Sequence, residues 1–166
     1  MAFSGIVGKI VRTGQAVAEH LAFIAPLATR ITIGLGYLHT GWGKLHNFDR
    51  TVTYFTNLGI PAPTANAAFV STLELVGGTC LLIGLLTRVF ALGLSGSMLV
   101  ALLTADRQTF LASWGSASET SPTDVASFVF LLFLLWLVLF GPGAVSLDRL
   151  MFGKLSRDRA AAPVGK

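Results

Sequence analysis

The sequence predicts an all-α integral membrane protein, a bundle of four transmembrane helices with an N-terminal interfacial helix. Its 166 residues are 53% hydrophobic and only 12% charged, whereas an ordinary soluble domain has about 25% charged residues. The apolar residues also gather into stretches long enough to cross a bilayer, separated by polar segments. We expect one membrane domain over residues 21–150, between an amphipathic segment at 1–20 and a basic, mobile tail at 151–166.

Residues 1–20 alternate apolar side chains with basic ones, including Lys9 and Arg12. This pattern predicts a helix that lies on the membrane surface with its basic side on anionic headgroups. A cleaved signal peptide is the alternative. We count the segment as mature protein because Pro26 interrupts the apolar run that follows and Arg30 comes directly after it.

The first predicted span, residues 22–45, carries basic residues inside an apolar sequence. In a helix, alternating steps of four and three return to the same face. That face holds Arg30, Gly34, Tyr37, Gly41 and Lys44. A basic side chain that faces lipid costs about 2.5–3.5 kcal/mol at a helix centre. This stripe should therefore face another helix of the protein.

The other predicted spans are residues 67–86, 89–105 and 125–140. A short turn at Thr87 and Arg88 makes the second and third spans an antiparallel hairpin. The third span has small residues at helical spacing, which let two backbones approach closely; they are Gly93, Ser95, Gly96 and Ser97. The fourth span follows a helix start at Ser121 and Pro122 and stops at the Gly-Pro-Gly of residues 141–143.

Two connections separate these spans. Gly59, Pro61 and Pro63 forbid a continuous helix after the first span, but the apolar content there predicts an interfacial segment that caps the bundle. In the connection at residues 106–124, Phe110 and Trp114 are predicted to anchor the chain at the interface.

The positions of Lys and Arg near the spans predict the orientation. One side holds Lys9, Arg12, Arg88, Arg149, Lys154, Arg157 and Arg159. The other side holds Lys44, Arg50 and Arg107 together with Asp49, Asp106, Glu119 and Asp124. The more basic side should be cytoplasmic, which places both termini inside and the two longer connections on the outer side of the membrane.

Glu74 is the clearest candidate for function, because a carboxylate inside an apolar span needs a partner. Arg30 lies about 10 Å from it in depth if the first span begins near residue 22, and within reach if that helix runs unbroken from before Pro26. Tyr37 is nearest in depth in either register, and Lys44 lies nearer the outer surface. Two interpretations stay open here: a buried pair that fixes helix register, or a site for quinone or proton handling.

His39, Trp42 and His46 share a second face of the first span. The two histidines are about 10 Å apart on one helix, so they do not ligate one metal ion together, and a haem would need His39 paired with a histidine of another chain. An interfacial histidine with a carbonyl or water partner is the main interpretation, and contact of His39 or His46 with a quinone headgroup is the alternative. We expect no metal site.

Several classes of function are excluded by what the sequence lacks. Cys80 is the single cysteine, so the chain has no internal disulfide and no dithiol cycle, and we expect an inert, packed thiol. No GxSxG, HExxH, CxxC or P-loop motif is present. No basic and aromatic interleaving indicates nucleic-acid binding. A self-contained hydrolase or ATPase is therefore not predicted.

Five short motifs occur in order over most of the chain from Arg30 to Asp148; they are R-x3-G-x6-G-x-x-K-L from Arg30, F-x-x-L-G-I-P-x-P from Phe55, E-x-x-G-G from Glu74, G-L-x-T-R from Gly84 and G-P-G-x-x-S-L-D from Gly141. With these motifs the sequence resembles the DoxX family of small bacterial four-helix membrane proteins. The resemblance implies a multi-pass protein of the bacterial cytoplasmic (inner) membrane. The resemblance implies a four-helix bundle related to the membrane subunit of thiosulfate:quinone oxidoreductase. It implies that the polar positions of the pattern fall on Arg30, Lys44, Glu74, Arg88 and Asp148. Asp124 stands where many members have glutamate.

Three hypotheses of function follow. The first is an accessory membrane subunit of a quinone-linked redox complex, in which Arg30, Tyr37, Lys44 and Glu74 hold a quinone or relay a proton and partner subunits supply the redox centre. This hypothesis needs no covalently bound cofactor. The second is a non-catalytic scaffold that assembles a larger complex and binds only membrane lipid. A transporter ranks last, because no inverted repeat is evident.

Overall fold

The computed structural model describes residues 12–15, 18–115 and 120–151, and throughout this part of the chain the regular elements are helical. In chain order the α-helices are α1 Ile24–His46, α2 Phe48–Asn57, α3 Pro63–Ile83, α4 Thr87–Leu103, α5 Arg107–Ala112 and α6 Ala126–Phe140. A 3₁₀ turn at Pro122–Asp124 precedes α6. The predicted interfacial segment at 1–20 and the tail at 151–166 lie largely outside the described residues.

The helices differ in their capacity to cross a bilayer. The helix that ends at His46 and α3 are both long and apolar enough to span a membrane. Helices α4 and α6 are shorter apolar helices of 17 and 15 residues. Large apolar side chains such as Leu92 and Leu139 are 61% and 72% exposed. The outer surface of the bundle is therefore hydrophobic.

The bundle is built from two tightly packed helix pairs, α1 with α3 and α4 with α6. The hairpin of α3 and α4 joins the pairs, and α2 packs against α3. The core between them consists mainly of buried aliphatic side chains and one tyrosine; its members are Ile33, Tyr37, Leu81, Ala91, Leu94, Leu134 and Leu137.

Glycines bring the backbones of α1 and α3 together. A Cβ on Gly34 would lie 2.9 Å from the carbonyl oxygen of Gly78, and a Cβ on Gly41 would lie 2.5 Å from the backbone nitrogen of Leu75. Real Cβ atoms do not approach so closely, so this register requires glycine. Arg30, Gly34, Tyr37 and Gly41 are buried, which confirms that the stripe faces protein.

The glycines of α4 do not have the role predicted for them. A Cβ on Gly93 would meet only the side chain of Leu73, at 3.3 Å, and nothing lies within 4 Å of a Cβ on Gly96. The prediction that these small residues bring two backbones into contact is therefore wrong at both positions. The close approach occurs between α1 and α3 instead.

The turn between α3 and α4 lies three residues earlier than predicted. Gly84 and Leu86 adopt left-handed conformations with φ of 72° and 47°, and α4 already begins at Thr87. The Asp148 carboxylate accepts hydrogen bonds from the backbone N–H groups of Leu86 (2.6 Å) and Thr87 (2.8 Å). A distant residue thus caps α4, and the local sequence contains no sign of it.

Both connections contain short helical elements. The first contains the helix α2 and then breaks, and Pro63 occupies the first turn of α3. Ser121 and Asp124 form a capping box, but on the 3₁₀ turn, so that α6 begins only at Ala126. In the second connection Phe110 and Trp114 stack edge to face, with ring centroids 6.0 Å apart.

Candidate functional site

The centre of the candidate site is an ion pair between α1 and α3. The Lys44 ammonium donates to Oε1 of Glu74 at 2.5 Å. The Glu74 side chain is 1% exposed and the Lys44 side chain 31%. Lys44 lies in the last turn of α1, where a cation is favoured by the helix dipole. Glu74 lies one turn before Gly78, on the face of α3 that packs against α1.

The structure separates Arg30 from this pair. Although α1 runs unbroken through Pro26, Arg30 does not reach Glu74, so that expectation is wrong. The packing of Gly41 on Leu75 sets the register, and Arg30 lies fourteen residues before Lys44, about 20 Å along the helix. Its Nη1 instead donates to the carbonyl oxygen of Pro142 at 2.8 Å, at the opposite end of the bundle.

A large apolar pocket of about 500 Å³ opens on one side of the ion pair. Lys44 and Glu74 form part of its wall, and Asp106 lies among its polar lining residues. The apolar lining comes from α2, α3 and α4 and includes three aromatic rings, those of Tyr54, Phe55 and Phe69. The pocket therefore offers an aromatic, apolar volume with one charged pair, a usual composition for a small-molecule site.

A smaller chamber of about 240 Å³ lies between α1, α3, α4 and α6 and also borders the pair. Tyr37 and Ser127 contribute to its lining. Tyr37 Oη, Ser127 Oγ and Glu74 Oε2 are buried and have no hydrogen-bond partner among the described residues. The Tyr37 ring packs edge to face on Phe130, with centroids 5.6 Å apart, which fixes its position. Three of the four predicted polar-site residues, Tyr37, Lys44 and Glu74, thus meet at one chamber.

The two histidines lie outside both cavities. His39 is exposed and lines an open groove of about 410 Å³ on the outer side of α1 and α2, together with Arg50 and Thr51. His46 stacks on Trp42, with ring centroids 4.1 Å apart, and its Nδ1 lies 3.2 Å from the Trp42 carbonyl oxygen. Contact of either histidine with a headgroup stays a prediction.

Sequence reasoning did not single out Ser127 or the aromatic wall of the large pocket. Ser127 is the one hydroxyl residue in α6, whose other residues are apolar, so it could have been found by the same argument that found Glu74. The apolar content around Tyr54 and Phe55 predicted a segment that caps the bundle, but not that these rings form the wall of a pocket.

Cys80 is a free, half-buried thiol. Among residues 12–15, 18–115 and 120–151, no group of three His, Cys, Asp or Glu side chains is close enough to hold a metal ion. The polar chemistry of the site therefore centres on Lys44, Glu74 and the hydroxyls beside them.

These features define a class: a small, helical membrane protein with a buried carboxylate paired to a partly exposed lysine between glycine-packed helices. The family model for DoxX matches residues 25–107, which contain both partners of the ion pair and the glycines at the contact between α1 and α3. The chain belongs to the DoxX family. No solved structure matches the chain.

The chain has relatives in several bacteria, and some of them are named membrane proteins. An uncharacterized membrane protein of Mycobacterium tuberculosis is 36% identical over 74% of this chain and 78% of its own length. The inner membrane protein YqjF of Escherichia coli is 34% identical over 80% of this chain and 96% of its own length. A Bacillus subtilis protein named "Putative oxidoreductase CatD" is 30% identical over 49% of this chain and 63% of its own length.

Proposed function

We propose that this protein is an accessory membrane subunit of a quinone-linked redox complex and that it binds the quinone headgroup beside Lys44 and Glu74. The observation that carries the proposal is the position of this ion pair in the wall of an apolar pocket of about 500 Å³. A quinone ring is flat and apolar, with two carbonyl oxygens that accept hydrogen bonds. The aromatic wall suits the ring, and the Lys44 ammonium suits a carbonyl oxygen.

The chain's own residues would supply binding and proton handling. Reduction of a bound quinone to quinol consumes two electrons and two protons, and the electrons come from a partner subunit. Glu74 has one carboxylate oxygen on Lys44 and one without a partner. It is therefore placed to give and take a proton while Lys44 stays in contact. The name of the Bacillus relative is in line with a redox setting.

We further propose that α1, α3, α4 and α6 all cross the bacterial inner membrane, with both termini cytoplasmic. Helices α4 and α6 pack on each other and join the bundle through the α3–α4 hairpin, and they expose large apolar side chains to the outside. The relatives named inner membrane proteins in Escherichia coli are in line with this location. The ion pair then lies in the half of the bundle nearer the two longer connections.

The first experiment is a binding titration. The purified protein in lipid nanodiscs is titrated with a short-tailed ubiquinone and a short-tailed menaquinone, and binding is followed by calorimetry. Gly96→Leu is the blocking variant, because Gly96 lines the large pocket and a Cβ there meets nothing within 4 Å, so the new side chain enters the pocket without a backbone clash. Gly43→Leu is the matched control, since Gly43 is also unobstructed but does not line that pocket.

We expect saturable binding that Gly96→Leu weakens by at least about tenfold, or about 1.4 kcal/mol, while Gly43→Leu leaves it unchanged. Equal affinity in both variants would place any quinone elsewhere and contradict the proposal. In the native complex, Glu74→Gln should lower quinone-dependent turnover more than it lowers the amount of folded protein.

The second experiment separates this proposal from the scaffold hypothesis. Gentle purification from native membranes, followed by mass spectrometry of co-purifying proteins and extracted lipids, should recover quinone together with a dehydrogenase or oxidase subunit. A large assembly that lacks quinone, and whose turnover per assembled complex is unchanged by Gly96→Leu, would instead identify a scaffold.

A further inference from the structure

The Lys44–Glu74 pair borders both the large pocket and the small chamber. Three residues that line the small chamber each have a buried oxygen with no hydrogen-bond partner among the described residues: Tyr37 Oη of α1, Glu74 Oε2 of α3 and Ser127 Oγ of α6. Tyr37 is 2% exposed, Glu74 1% and Ser127 5%. A buried polar atom without a hydrogen-bond partner is costly. Three such atoms on residues that line one chamber indicate that the chamber contains a molecule that forms hydrogen bonds.

Water has the size and chemistry to fill this chamber. One water molecule occupies about 30 Å³ in the liquid and is held by two to four polar partners. The chamber measures about 240 Å³, so several molecules fit, and the three unpartnered atoms provide the hydrogen bonds.

The chamber also reaches the end of the bundle. Asp106, three residues past the end of α4, contributes to its lining and is partly exposed. The titratable groups that line the chamber are Tyr37, Lys44, Glu74 and Asp106, with Met98, Ala101, Ala126 and Phe130 as apolar walls. Asp106, Glu74 and the two hydroxyl residues therefore line one cavity.

We propose that the small chamber holds a chain of water molecules that carries protons between the Asp106 rim and Glu74, past Tyr37 and Ser127. A water molecule in the chamber donates a proton to Oε2 of Glu74 and recovers one from the next water, and the last water exchanges with bulk solvent at Asp106. The return path runs in reverse. This inference deepens the proposed function, since it gives Glu74 its proton supply, but it concerns Glu74 and water alone and is tested without quinone.

The test measures hydrogen–deuterium exchange at the Glu74 carboxyl group by infrared spectroscopy. It uses the Lys44→Met variant, because a buried carboxylate without its cation is expected to hold its proton, and the protonated group has a carbonyl band that shifts on deuteration. Loss of the band in Lys44→Met/Glu74→Gln assigns it to Glu74. In this background Ser127→Leu fills the chamber, and Ser127→Ala leaves the chamber open as the matched control.

We expect fast exchange in the Lys44→Met protein and with Ser127→Ala, and exchange slowed at least about tenfold with Ser127→Leu, as restricted solvent access slows exchange. Gly96→Leu, which fills the large pocket, should leave the rate unchanged. Slow exchange with Gly96→Leu and fast exchange with Ser127→Leu would show that water reaches Glu74 from the large pocket and would overturn the inference. If Ser127→Leu does not fold, Tyr37→Trp fills the chamber from α1, and exchange as fast as in the Lys44→Met protein would also overturn it.

The exchange rates at Glu74 do not depend on whether the protein binds quinone. The two proposals therefore fail separately: the quinone site fails on the affinity of Gly96→Leu, and the water chain fails on the exchange rate of Ser127→Leu.

Discussion

Gly41 of α1 lies directly against Leu75 of α3, so closely that a Cβ on the glycine would come within 2.5 Å of the Leu75 backbone nitrogen. This contact fixes the register of the two helices. It lies one turn before Lys44 and next to Glu74, so the same contact that packs the helices also brings the ion pair together.

Gly41→Ala should destabilise the protein by about 1–3 kcal/mol, because α3 must move away from α1 to admit the methyl group. The measurement is unfolding by a denaturing detergent in mixed micelles. Gly43→Ala is the control on the same helix, since nothing lies within 4 Å of its Cβ. There the helix propensity of alanine should raise stability by up to about 1 kcal/mol. Equal effects of the two substitutions would contradict the close backbone contact between Gly41 and α3.

Arg30→Ala should lower stability without affecting quinone affinity. The substitution leaves the Pro142 carbonyl oxygen without its donor and removes a buried side chain that is 2% exposed, which costs about 1–3 kcal/mol. Arg30 lies about 20 Å along α1 from Lys44, so binding per folded protein should stay unchanged. A loss of affinity that exceeds the loss of folded protein would show that Arg30 contributes to quinone binding and would contradict this prediction.

Asp148→Ala should destabilise the hairpin end of the bundle by about 0.5–2 kcal/mol, the usual effect of losing an N-cap. The carboxylate accepts from two backbone N–H groups, those of Leu86 and Thr87. Amide exchange at these two residues should rise together with the loss of stability. Asp49→Ala is the control, because Asp49 is exposed on α2; it should change stability by less than about 0.5 kcal/mol.

The long helices could be predicted from sequence because they depend on local composition. Helices α1 and α6 begin and end within two residues of the predicted first and fourth spans, and Gly141 stops α6 as expected. The turn after α3 was misplaced because Asp148, far along the chain, decides where α4 begins. Local pattern has no access to that contact.

The residues of the site could be predicted from sequence, but not which of them pair with each other. A charged residue stands out in an apolar sequence, so Glu74, Lys44 and Arg30 were all found. Their partners depend on the register between helices, which the contact of Gly41 with Leu75 sets, and depth along a single helix leaves that register open. The large pocket depends on how α2 packs on α3: the apolar content of α2 predicts that it caps the bundle, but not the cavity that this packing leaves.

Cys80→Ala should be nearly silent in function. The thiol is free and half-buried, and it lines neither cavity beside the ion pair. Quinone affinity and the growth of cells that depend on the protein should match the unsubstituted chain, with Cys80→Ser as a second variant. A large loss of activity in membranes at normal protein levels would assign the thiol a chemical role and contradict the inert interpretation.

The energetics of the ion pair decide between a structural and a functional role for Lys44 and Glu74. Removal of one partner of a buried pair costs about 3–5 kcal/mol, whereas replacement of both by apolar residues is often neutral. Lys44→Met alone should therefore destabilise the protein, towards the lower end of that range because Lys44 is 31% exposed.

The double variant Lys44→Met/Glu74→Leu completes the cycle and should recover most of the stability lost by Lys44→Met, as measured by unfolding in mixed micelles. A fold that is as stable without the pair as with it has no structural need for the two charges, and their presence then points to the binding and proton chemistry proposed here. A double variant that loses about as much stability as the two single variants combined would show that each residue stabilises the fold independently, and the argument for function from burial would fail.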